Sequence, residues 1–215
     1  MGVGSLRAYG LMAARTRRIG DTADMYPAQL GTGGTQTTFT GNGTIGNAGI
    51  WYDVRTWTAN GSIVVNKPGW VDLMVLGGGG NANGSSGGGA GGIKYGAFYL
   101  SVVGTYSITV GGVGGDSYIY LPSTAVFLRG GAGNSGMPYG STNWNSNSGG
   151  GSGSAEGGNN WGGGQGWSTG SGVPYDITGT SVIYGRNDGT GYGAGGGPNQ
   201  GGVQGLVVIR AGVNG

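Results

Sequence analysis

Gly201-Gly202-Val203-Gln204-Gly205-Leu206-Val207-Val208-Ile209-Arg210-Ala211-Gly212 is the stretch that decides the fold. It closes a long region that begins at residue 130 and is dominated by Gly, Ser and Asn to about residue 176. A loose glycine tail has no reason to end in four consecutive β-favouring residues, Leu206 to Ile209. The unbroken apolar run suits a central strand covered on both faces. Residues 130 to 204 therefore read as large loops that leave a sandwich and re-enter it, with the closing run in the same sheet as Val71 to Leu76.

The same logic extends upstream. Trp70 to Leu76 follows Pro68-Gly69 and alternates Val71, Leu73 and Val75 on one face with Asp72, Met74 and Leu76 on the other. It stops at Gly77-Gly78-Gly79-Gly80. Further strands are expected at Thr37 to Thr40, Ile50 to Thr58, Ser62 to Asn66, Ile93 to Leu100, Thr105 to Val110, Ser117 to Leu121, Ala125 to Leu128 and Ser181 to Tyr184. Short, regularly spaced strands are the mark of sandwiches and barrels. Asn42-Gly43 reads as a turn, and Asn60-Gly61 as a type I′ hairpin turn joining its two flanking strands. Asp21 to Gly34, with Pro27 and Gly31-Thr32-Gly33-Gly34 as breakers, reads as a linker. The domain division is thus residues 1–34 as N-terminal anchor and linker, and residues 35–215 as the glycine-rich sandwich.

Composition narrows the chemistry. Of 215 residues 59 are glycine, and only 8% are charged. Glycine loses about 0.5–1 kcal/mol more than alanine on ordering, so this content weakens a fold unless close backbone packing offsets it. Such segments fit extended, polyproline-II-like strands lying side by side, without the strict period of collagen. Cysteine and histidine are both absent, which removes thiol chemistry, zinc fingers and the Ser-His-Asp and Cys-His catalytic arrangements. A net charge of +2 gives no footprint for nucleic acid. Leu11-Met12-Ala13-Ala14 is too short for a signal-peptide core, and no apolar run is long enough to span a bilayer.

Other motifs resolve into plain readings. Gly131-Ala132-Gly133-Asn134-Ser135-Gly136 fits G-x-G-x-x-G but Met137-Pro138 does not open the helix that a dinucleotide site needs. The acids in the β-rich part are spread out in sequence, so the carboxylate pair of a glycosidase is not written in any one segment. Asp188, in Arg186-Asn187-Asp188-Gly189, reads as a turn residue rather than a calcium ligand. Tyr139, Trp144, Trp161, Trp167, Tyr175 and Tyr192 are the candidate receptor contacts, because aromatics on glycine loops present large rigid area at low entropy cost. The alternative is that they are pillars covering glycine backbones. Leu6, Arg7, Leu11, Met12, Arg15, Arg17 and Arg18 are the candidate docking residues of the anchor.

Taken together, TANGSIVVNKPGWVDLMVLGGGG from Thr58 to Gly80, then GGGAGGIKYGAFYL, GTYSITVGGVGG, ITGTSVIYG and GGVQGLVVIRAG resemble the glycine-rich domain of phage tail fibres and related virion proteins. The resemblance covers about residues 56 to 212. More distantly the chain is similar to glycine-rich adhesins at tail-fibre tips, from which it differs in having its glycine stretches interrupted by strands. The resemblance implies an all-β, jelly-roll-like antiparallel β-sandwich with long glycine-rich, partly polyproline-II-like loops. It implies a virion structural protein on the tail or capsid surface, foremost a tail fibre or tail-tip component contributing to receptor binding. A capsid decoration or head fibre protein is the alternative within that class, and a free glycine-rich carbohydrate- or ice-binding module the alternative outside it. The expected partners are other virion proteins through the N-terminal segment, a host cell-surface receptor, protein or glycan, and further copies of the chain, as a trimer by analogy with fibres. No nucleic acid, no membrane insertion, no catalytic residues, no metal and no cofactor are expected.

Overall fold

The computed structural model describes residues 26–83, 87–122, 126–133, 172–186, 188–197 and 199–213. These contain no helix. The strands are β1 (Gln29–Leu30), β2 (Thr35–Thr40), β3 (Trp51–Trp57), β4 (Gly61–Lys67), β5 (Gly69–Leu76), β6 (Ile93–Leu100), β7 (Gly104–Thr109), β8 (Ser117–Leu121), β9 (Val126–Gly130), β10 (Val173–Tyr175), β11 (Val182–Tyr184) and β12 (Leu206–Val213). Two five-stranded antiparallel sheets form, in the orders β2-β3-β12-β5-β6 and β1-β4-β7-β8-β9, with β10 and β11 as a separate ribbon. The fold is an all-β sandwich.

β12 lies between β3 and β5. Leu206 pairs with Leu76 and Arg210 with Asp72 on one side, while Val207 pairs with Trp57 and Val213 with Trp51 on the other. Alternation then sends β5 and β12 into two cores. Val71, Leu73, Val75, Val207 and Ile209 meet Ile63, Val65, Tyr106, Ile108 and Ile119 of the second sheet. Met74, Leu76 and Val208 point to the opposite face, where Val54, Ile93, Leu206, Ile177 and Tyr184 join them. The residues following β10 and those of β11 thus roof the outer face of the first sheet. Each apolar side chain fully buried in this way contributes about 1.5–3 kcal/mol, and β5 and β12 collect that gain on both faces.

At the end of β5 the chain continues as Gly77–Gly80, whose amides bond to three different stretches. Gly77 N donates to Gly92 O at 3.0 Å, Gly78 N to Gly115 O at 2.8 Å, Gly79 N to Val203 O at 2.9 Å and Gly80 N to Gly89 O at 2.8 Å. Backbones approach so closely that a Cβ on Gly78 would lie 1.9 Å from Gly112 O, and one on Gly91 would lie 1.9 Å from Gly77 O. No other residue fits there, which is the physical reason for the glycine content. Gly131 and Gly133 belong to the same assembly, accepting from Gly92 N and donating to Gly78 O at 2.8 Å each.

Three expectations are corrected, and the jelly-roll connectivity is not confirmed among the described residues. β3 and β4 sit in different sheets, so Asn60-Gly61 is a crossing between sheets and not a hairpin. Trp57 turns into the core, Asn60 Oδ1 accepts from Val110 N at 2.9 Å, and Asn199 is the one non-glycine residue with positive φ among the described residues. The linker reading of residues 21–34 fails at its end, since β1 pairs with β4 and Ala28 and Leu30 are in the core. The folded unit therefore takes in Ala28 to Leu30, upstream of residue 35. β7, β8 and β9 run as a meander in one sheet, where a jelly roll distributes successive strands between its sheets. Finally, Val173–Tyr175 is a strand inside what reads as loop, paired with Val182–Tyr184. The Asn42-Gly43 turn is present, with Asn42 Oδ1 accepting from Thr44 N and Ile45 N at 2.9 Å each.

Candidate functional site

Antiparallel pairing places three rows of side chains side by side on the inner face of the first sheet at one end. Trp51 of β3 pairs with Val213 of β12, Asp53 with Ala211 and with Thr38 of β2, and Arg55 with Ile209 and with Gln36. Farther along the same face Trp57 enters the core. The inner face therefore changes character along β3 from aromatic core to ion pair to a tryptophan that is 51% exposed.

This polar end opens into a cleft of about 810 Å³, lined by Gln36, Trp51, Asp53, Arg55, Tyr26 and Tyr99 among others. It forms because β1 supplies only two residues of cover. Before β1 the chain turns away, with Trp70 N donating to Tyr26 O at 2.8 Å and Ala28 N to Trp70 O at 3.0 Å. Tyr26 is 71% exposed and Tyr99 49% exposed, and Tyr99 meets Trp70 edge-on at 5.5 Å.

On the cleft floor, Arg55 Nε and Nη2 donate to the two carboxylate oxygens of Asp53 at 2.8 and 3.0 Å. Arg55 Nη1 donates to Gly33 O at 3.2 Å, and Gln36 Nε2 donates to Asp53 Oδ1 at 3.1 Å. Both charged side chains are buried. Paired planar groups of this kind are held in a fixed geometry, so the floor is pre-organised.

A second polar cluster lies on the outer face. Arg210, under the roof near Asp176, pairs with Asp72 and stands over the Tyr52 ring at 5.1 Å. Folding thus brings Asp72 and Asp176 together, but around a buried arginine and not at an open cleft. Burial favours the neutral form of Arg210, yet the Asp72 carboxylate holds its pKa above the ordinary value. Burial, then the Asp72 charge, pushes the neighbouring Tyr95 phenol up.

Of the aromatic residues singled out by sequence, Tyr175 packs with its ring tilted against Tyr95 at 4.6 Å and Tyr184 at 6.3 Å. It is a pillar of the roof. Tyr192 is 37% exposed, and its carbonyl accepts from Gly185 N at 3.2 Å. Tyr175 and Tyr192 both interact with Tyr184, and neither lines the cleft. Tyr139, Trp144, Trp161 and Trp167, and the docking candidates Leu6, Arg7, Leu11, Met12, Arg15, Arg17 and Arg18, lie outside the described residues. Asp188 sits in a turn, accepting from Thr190 N at 2.9 Å.

Sequence reading missed Gln36, Trp51, Asp53 and Arg55. The available signal was the alternation in Trp51-Tyr52-Asp53-Val54-Arg55-Thr56-Trp57, which puts two charges on the face that carries Trp57. No family model matches the chain, and no curated protein or solved structure matches it.

Proposed function

We propose that the chain is a structural component of a phage particle, foremost a part of the tail fibre or tail tip that contributes to host-receptor binding. The resemblance of its segments to glycine-rich virion domains supports the reading. The observation that carries it is a division between two ends. Trp51, where β3 begins, and Val213, where β12 ends, both border the cleft. The glycine assembly that begins at Gly77 lies beyond Leu76, at the other end of β5. A module built this way has two chemically distinct ends, as a part mounted by one end and exposed at the other requires.

Mass spectrometry of purified particles, followed by electron microscopy with antibody labelling, tests the reading. It predicts the chain in fixed copy number at the tail. Labelling on the capsid would favour a decoration or head-fibre role, and a chain found only free of particles would overturn both. Deleting residues 1–25, which spares β1, is expected to leave a folded sandwich that no longer joins particles.

A further inference from the structure

We propose that the cleft beside β1 to β3 is a binding site for a short saccharide. The inference rests on the cleft alone, so a chain never found in particles would leave it standing. The inner face of a sandwich is normally apolar, and placing an ion pair there costs desolvation that its mutual attraction often fails to recover. Asp53 and Arg55 nevertheless occupy that face in register with Gln36 and Thr38. Departures from local consistency of this kind concentrate where a protein binds something.

The residues specify the class of ligand. Trp51 offers a half-exposed aromatic face at one end of the floor, with Tyr26 and Tyr99 on the walls. A flat aromatic face suits the C–H surface of a pyranose ring. The next row supplies the Asp53 carboxylate and the exposed Gln36 amide, held in place by Arg55 and by each other, and sugar hydroxyls, which both donate and accept, suit that pair. Ala211 and Gly212 keep the floor low between these rows. The volume lies within the roughly 300–1,000 Å³ usual for small-ligand sites.

Other ligand classes fit less well. Arg55 spends Nε and Nη2 on Asp53, so no open guanidinium fork remains for a phosphate. The polar floor does not suit a lipid chain. The floor is a sheet face rather than an edge, so an extended peptide gains no backbone ladder from it. Asp53 is the one carboxylate in the lining among the described residues, whereas sugar hydrolysis uses two flanking the bond. The proposal is therefore for binding alone.

The test is titration of the full chain with chitobiose, cellobiose, maltotriose and sialyllactose, read by saturation-transfer NMR and tryptophan fluorescence. At least one sugar is expected to bind, with saturation transferred from the protein to the sugar's C–H protons. Trp51→Ala should weaken binding by about tenfold or more, as for a lost aromatic anchor, and Gln36→Leu should weaken it while leaving the melting temperature near that of the parent. Tyr192→Ala, at a site away from the cleft, should leave affinity unchanged. No binding by any of the four sugars at millimolar concentration would overturn the proposal. So would binding that survives both Trp51→Ala and Gln36→Leu, or that is lost in Tyr192→Ala instead.

Discussion

Arg210 and Asp72 face each other across the β12–β5 ladder, with Arg210 Nε and Nη2 donating to Asp72 Oδ2 at 2.9 and 2.6 Å. They are 138 positions apart in sequence, and both are buried. A slip of β12 by one residue would put the arginine into the apolar core between the sheets. The pair therefore fixes the register in which the closing strand returns.

Removing one partner should cost more than removing both. Asp72→Ala leaves a buried guanidinium without its carboxylate and is expected to destabilise by about 3–5 kcal/mol. The double variant Asp72→Leu, Arg210→Met should cost less than either single change. Urea denaturation checks this, and additive losses would argue against the coupling.

Glycine positions divide sharply by what surrounds them. Gly78→Ala sets a methyl group 1.9 Å from Gly112 O and is expected to cost more than about 4 kcal/mol or to abolish folding. For Gly112→Ala nothing lies within 4 Å of the new Cβ, and φ is not in the left-handed region. That change should be neutral or add about 0.4–1 kcal/mol through the unfolded chain. Thermal melts of the two variants give the comparison directly.

The roof over the outer face should loosen in alkali. Burial raises the phenols of Tyr175 and Tyr184 above 10.0, and burial with the Asp72 charge raises Tyr95. The unfolded chain loses these protons first, so it binds fewer protons than the native state at high pH. Stability is then intact below the ordinary tyrosine value and falls as pH rises above it. Urea midpoints taken from about pH 8 to about pH 11 should decline above pH about 10, with Tyr95 ionising last by near-ultraviolet absorbance. A flat profile would contradict the burial of these rings.

Ile177, the fully buried residue that the roof contributes to the outer core, provides a separate test. Ile177→Ala should cost about 2–5 kcal/mol and should speed exchange in β10 and β11 more than in β7 and β8.

The strand content was legible because alternation and Gly or Asn boundaries are local signals. Ile93 to Leu100 and Ser117 to Leu121 are strands over the whole of the ranges expected. What alternation does not encode is which sheet a strand joins. Asn60-Gly61 carries the chemistry of a hairpin turn, yet Trp57 has a better place in the core than at a hairpin end. Gln29–Leu30 is too short to show a period, and its strand exists only because Val65 and Lys67 offer partners. The cleft was hidden for a related reason. Trp51, Asp53 and Arg55 share one face in any strand, but that this face turns inward follows from the register with β12, which no local pattern reveals.

The account stands or falls on the closing strand lying between β3 and β5, which makes captives of the glycine stretches that precede it. Native-state hydrogen exchange resolved by NMR measures this most directly. The amides of Val207, Val208 and Ile209 are expected among the slowest in the protein, exchanging only with global unfolding, and the Gly78 and Gly91 amides are expected to be protected as well. Exchange of Leu206 to Arg210 at the rate of an unstructured peptide would contradict it.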